Sequence, residues 1–165
     1  GEAPGRDEVR LLRPFSGAAG KNLDEFLKLA GIDRESIYIT NAIKYRLSKM
    51  NPKTGRLSNR PASKDEILSS RPFLIKEIAA IRPTCIVTLG NVPLRAITGD
   101  FSLCIGDNHG LAMYETIEGS EYTVYPLYHP ASVIYNRSLK EVLEADMLKL
   151  RDLIGKSDIV FQSAF

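Results

Sequence analysis

Two periods alternate along the chain, and the places where one gives way to the other predict its elements. Leu23, Phe26, Leu27 and Leu29 recur at helical spacing between Asn22 and Ala30, and Gly31 follows as a stop. This predicts a helix beginning near Ala18 or Ala19. Ile37-Tyr38-Ile39-Thr40 is a short β-branched and aromatic run, predicting a strand with Asn41 at its carboxyl end. Residues 45–62 hold Pro, Gly, Asn and Ser with many cations and no period, predicting a long loop. Ser63-Lys64-Asp65-Glu66 has the form of a capping box. It opens a helix to about Ile81, with Ile67, Leu74, Ile78 and Ile81 on its apolar side. Pro72 inside this stretch predicts a kink or two helices. Cys85 to Leu89 predicts a buried strand ending at Gly90, with a helix from Asn91. Residues 111–117 and 122–128, separated by Glu118-Gly119-Ser120, predict a hairpin leading to His129. Leu139, Val142, Leu143, Leu150 and Leu153 mark a last amphipathic helix from Ser138 to Ile154, and Ile159-Val160-Phe161 is an apolar run in the tail.

Strands alternating with helices predict an α/β fold, a three-layer α/β/α sandwich around a mostly parallel sheet. A chain of 165 residues predicts a single domain over 1–165, with its core at about 1–154 and a tail at 155–165. No run approaches the ~20 apolar residues that a membrane helix needs. Cys85 and Cys104 are the only cysteines, at a separation that fits no metal-ligand pattern, and a reducing cytoplasm is the expected setting. The net charge of +2 does not announce a nucleic-acid binder. Distribution says more: cations gather at Arg6, Arg10 and Arg13, and again at Lys44, Arg46, Lys49, Lys53, Arg56 and Arg60. Two such clusters beside one pocket would form a rim for backbone phosphates.

The opening, Gly1-Glu2-Ala3-Pro4-Gly5 and then Arg13-Pro14-Phe15-Ser16-Gly17-Ala18-Ala19-Gly20, turns sharply and allows close approach of a ligand. A carboxylate and a ring set into that backbone suit a small planar group. Thr40-Asn41-Ala42-Ile43-Lys44, Leu89-Gly90-Asn91 and Tyr128-His129-Pro130-Ala131-Ser132 follow in order. With these four motifs the chain resembles the uracil-DNA glycosylase superfamily, most closely its family 4 type, from Gly1 to about Leu153.

The resemblance implies a four-stranded sheet whose first strand lies upstream of Gly1. It implies a monofunctional glycosylase that flips uracil out of DNA and hydrolyses its N-glycosidic bond. Glu2 would position water, with Glu8 at a second acidic position of the family. His129 would stabilise the departing base anion at O2. Ala3, Phe15 and Asn41 would hold the base: Phe15 by stacking, Asn41 by meeting the N–H donor and carbonyl acceptor of its edge. Backbone amides near Ser16, Gly17, Gly90 and Asn91, with Ser132, would hold phosphates, and Val133 and Ile134 would wedge into the base stack. The expected partner is DNA containing uracil or another damaged base, and the expected state a monomer.

The chain departs from the family in two ways. Family 4 enzymes carry an iron–sulfur cluster on four cysteines, and Tyr45 and Ser70 stand where two of them fall, so no cluster, metal or other cofactor is expected. Gly5 replaces a tyrosine that bars thymine in other uracil glycosylases, leaving hypoxanthine, xanthine and mismatched thymine open as substrates beside uracil. Two other readings use the same residues: a non-catalytic module for flipped bases or single strands, and a small nucleotide-handling enzyme. The absence of a Gly-Lys-Ser/Thr ending weighs against a phosphate loop of the latter kind.

Overall fold

A computed structural model describes residues 1–156, so the apolar run at 159–161 lies outside the described residues. The chain order is α1 (Arg6–Leu11), α2 (Ala18–Leu29), a 3-10 turn (Arg34–Ser36), β1 (Ser48–Met50), β2 (Leu57–Asn59), α3 (Lys64–Ile81), β3 (Cys85–Leu89), α4 (Asn91–Thr98), α5 (Ile105–Asn108), β4 (Met113–Ile117), β5 (Ser120–Leu127), α6 (Ser132–Tyr135) and α7 (Leu139–Lys156). In the main sheet β5 is central. It runs parallel to β3, from Cys85↔Thr123 to Leu89↔Leu127, and antiparallel to β4, from Met113↔Val124 to Ile117↔Ser120.

The period of two along β5 divides the core. Tyr122 and Val124 pack on one face with Leu74, Ile75 and Ile78 of α3 and Ala96 and Ile97 of α4. Tyr125 and Leu127 pack on the other with Leu23, Phe26 and Leu27 of α2 and Leu143, Met147 and Leu150 of α7. Helices on both faces of one sheet make the expected three layers.

Four details differ from the sequence reading. Among the described residues the main sheet has three strands and is mixed rather than mostly parallel, with one parallel and one antiparallel pairing, and the strand expected upstream of Gly1 lies outside the sequence. Ile37–Thr40 is not a strand. Among the described residues it finds a backbone partner only at the opening, where the Gly1 nitrogen donates to Thr40 O (2.7 Å) and the Ala42 N–H to Gly1 O (2.8 Å), a single rung of parallel type. Pro72 does not divide α3, because it lies on the exposed side, where water can serve the carbonyl left without a donor. The segment read as a loop over 45–62 contains a hairpin, β1 paired with β2, whose three-residue strands are too short to show a period in sequence.

Candidate active site

Because β3 and β5 are parallel, their carboxyl ends share one edge of the sheet, the usual place for ligands in such folds. His129 follows β5 there, and Gly90 follows β3 at φ 96°. A β-carbon at Gly90 would stand 3.4 Å from Cβ of His129, an ordinary contact, so the two turns lie side by side and it is the positive φ that calls for glycine. A cavity of about 450 Å³ opens at this edge, and Ala3, Glu8, Phe15, Gly17, Asn41 and His129 all line it. Of the expected catalytic and base-binding residues, it gathers all but Glu2.

Phe15 is held from several sides. It is 5% exposed and takes φ 52°, a conformation that a bulky residue adopts only when its surroundings impose it. Glu8 imposes it in front, its carboxylate accepting from the N–H groups of both Gly5 and Phe15 and so tying the two glycine-rich turns together. Arg34 imposes it behind, donating to Pro14 O (2.8 Å) and pairing with Asp24 (2.5 Å). Gly20 completes the frame, since a β-carbon there would overlap the Phe15 carbonyl. At Gly1 a β-carbon would fall 2.5 Å from Asn41 Oδ1 and 2.8 Å from Phe15 Cζ. The opening glycine therefore lets the amide and the ring meet.

His129 stacks on Phe15, with ring centroids 5.6 Å apart and planes at 28°. The Ala131 N–H donates to its Nδ1 (3.1 Å), which makes Nδ1 the acceptor and leaves the ring proton on Nε2. Burial holds the imidazole well below its ordinary 6.5, at about 4. At neutral pH it is therefore an uncharged ring with an Nε2–H donor. Protons bind the unfolded chain more readily than the fold between pH 6.5 and 4, so this contribution to stability is full above 6.5 and is lost as pH falls towards 4. The ring resonances of His129, followed by NMR, are expected to titrate with a midpoint near 4; a midpoint near 6.5 would contradict this environment.

The other expected residues lie around the cavity rather than in it. Glu2 accepts from the Ala62 N–H through Oε1 (2.8 Å). Ser16 Oγ donates to Arg13 O (2.7 Å), Asn91 Oδ1 accepts from the Ile105 N–H (2.7 Å), and Ser132 Oγ donates to His129 O (2.6 Å). Each of these side chains shapes a turn next to the site. Val133 and Ile134 line a separate groove of about 260 Å³ with Asn22, Phe26 and Arg137. His109 is tied through Nδ1 to the buried Asp146 (2.5 Å), away from the cavity. Leu57, Ser58 and Asn59 of β2 also line the wall and were not foreseen, and Arg46 of the cation cluster stands with them. Only the cation cluster hinted at them.

The family model of the Uracil DNA glycosylase superfamily matches residues 1–150. The chain belongs to that superfamily. Within it the chain is similar to the Type-4 uracil-DNA glycosylases of Sulfurisphaera tokodaii (37% identical, covering 93% of this chain and 67% of the relative) and Archaeoglobus fulgidus (38%, 94% and 75%). It is also similar to that of Saccharolobus solfataricus (34%, 99% and 73%). The iron–sulfur cluster expected of a type 4 superfamily member does not fit these residues. Tyr45 is exposed and offers a phenol, Ser70 is buried in α3 and offers a hydroxyl, and neither supplies a thiolate. Burial pushes the Cys85 thiol up to about 11, which opposes ionisation. Among the described residues no group of three or more His, Cys, Asp or Glu could hold a metal ion.

Proposed function

We propose that this chain is a monofunctional uracil-DNA glycosylase that draws the base out of the helix into the cavity beside His129 and hydrolyses its N-glycosidic bond. The observation that carries this is the neutral imidazole with its proton on Nε2, in the same cavity as the Phe15 ring and the Asn41 amide. As the bond to C1′ breaks, its electron pair passes to N1 of uracil and spreads to O2. A donor aimed at O2 meets the charge where it develops. Phe15 stacks on the base, and Asn41 pairs with its edge. Water supplies the oxygen that bonds to C1′, and its proton leaves by a carboxylate and ends on the base or in solvent. The uncapped first turn of α2, whose Gly17, Ala18 and Ala19 line the cavity, favours the anionic parts of this assembly.

Glu8 suits the water-positioning role better than Glu2 because it lines the cavity, and its oxygens keep lone pairs for water beyond the Gly5 and Phe15 N–H groups that they accept. Glutamine separates the two. At Glu2 the amide oxygen still accepts from Ala62, and activity should stay within about threefold, since a charge-assisted bond outside the cavity is exchanged for a neutral one. At Glu8 it removes a base and one of two backbone acceptors, and excision should fall by at least about 10²-fold. The reverse order would assign the water to Glu2. The readout is alkali-labile sites in a uracil-containing oligonucleotide, in the presence of EDTA. Tight binding with no base release from the wild type would instead make this a recognition module.

A cytoplasmic, monomeric, single-domain enzyme on DNA completes the proposal. Among the described residues no helix is long and apolar enough to cross a membrane.

A further inference from the structure

Residues 49–59 are all exposed, and β1 and β2 make their main contact with each other. Such an arm would ordinarily be loose, yet its turn is built. Asn51 Oδ1 accepts from the N–H groups of Lys53 (2.9 Å) and Thr54 (3.2 Å), the Gly55 N–H donates to Asn51 O (2.8 Å), and the Asn51 N–H to Arg56 O (2.9 Å). Gly55 takes φ 65°, which closes the turn without strain. Over 44–62 there are six cations and no acid. Lys44 pairs with Glu77 and Arg60 with Glu66, while Lys49, Lys53 and Arg56 have no acidic partner among the described residues. Met50 and Leu57 are directly opposed across the hairpin, so they share a face, and they are 66% and 55% exposed. Leu57 also lines the cavity.

We infer that this hairpin is an arm that grips the DNA strand carrying the extruded nucleotide. Lys49, Lys53 and Arg56 hold its phosphates, and the Met50–Leu57 pair packs on the base beside the emptied position. Charge complementarity selects the polyanion, and the apolar pair beside the cavity selects the unstacked step next to the lesion. The inference rests on DNA being the substrate.

The test uses the full chain and a duplex oligonucleotide holding a stable abasic-site analogue, with binding followed by fluorescence anisotropy from about 50 to 200 mM salt. Combining Lys49→Ala, Lys53→Ala and Arg56→Ala should flatten the log–log salt slope by about 2 to 3 and weaken binding at least about tenfold. Met50→Ser with Leu57→Ser should weaken binding several-fold at an unchanged slope. An unaltered slope in the triple variant overturns the phosphate grip, and unaltered affinity in the double variant overturns the apolar contact. A flattened slope in a protein that releases no uracil would keep the arm and reject the glycosylase. Uracil release with the wild-type slope in the triple variant would do the opposite.

Discussion

Replacing His129 by alanine is expected to lower single-turnover uracil excision by about 10²–10³-fold, the usual cost of removing one donor from a developing anion. The magnitude follows from the ring's state rather than its presence. With Nδ1 committed to the Ala131 N–H, the Nε2 proton is fixed in place before substrate arrives. Burial keeps the ring neutral, so the donor competes with no bulk solvation of an imidazolium. Because His129 also stacks on Phe15, alanine removes packing as well as the donor. His129→Gln separates these: it retains bulk and an N–H group, and its excision should lie between alanine and wild type. Affinity for an abasic-site duplex should change far less than the rate in both variants. A loss of less than about tenfold in His129→Ala would take the anion away from this ring.

Gly20→Ala is expected to destabilise the protein by about 3 kcal/mol or more, despite placing a better helix former inside α2. Propensity alone would favour alanine by about 1 kcal/mol. Against it, the new methyl would overlap the Phe15 carbonyl and stand 3.2 Å from its Cα. That backbone cannot give way easily, since Glu8 holds the Phe15 N–H and Arg34 lies against the carbonyls of Pro14 and Phe15. For a chain of this size the melting temperature should fall by roughly 6–12 °C. The same change at Gly155, also helical, meets nothing within 4 Å and should be neutral or slightly stabilising. Equal melting temperatures for Gly20→Ala and wild type would mean that Phe15 is not clamped.

How much of this was legible in sequence depended on how far each feature reaches along the chain. The long helices α2, α3 and α7 and the hairpin of β4 and β5 repeat their pattern several times, so periodicity located them. Ile37–Thr40 has the composition of a strand, but strands are made by partners, and among the described residues this one has a single rung with Gly1. The β1–β2 arm failed in the other sense, with pairing present and no pattern long enough to reveal it. In the site, Ala3, Glu8, Phe15, Gly17, Asn41 and His129 were legible because glycine-flanked motifs place their side chains through short stretches of backbone. Which of two carboxylates faces inward was not legible. Glu2 turns to an amide sixty positions away, and Glu8 to one seven away. Those are decisions of the folded chain.

The most direct measurement is the structure of this protein bound to duplex DNA carrying a 2′-fluorinated, hydrolysis-resistant deoxyuridine. The uracil is expected outside the helix, flat against Phe15, with its edge on Asn41 and O2 at about 3 Å from His129 Nε2. A uracil left stacked in the duplex, or seated where His129 cannot reach O2, would contradict this.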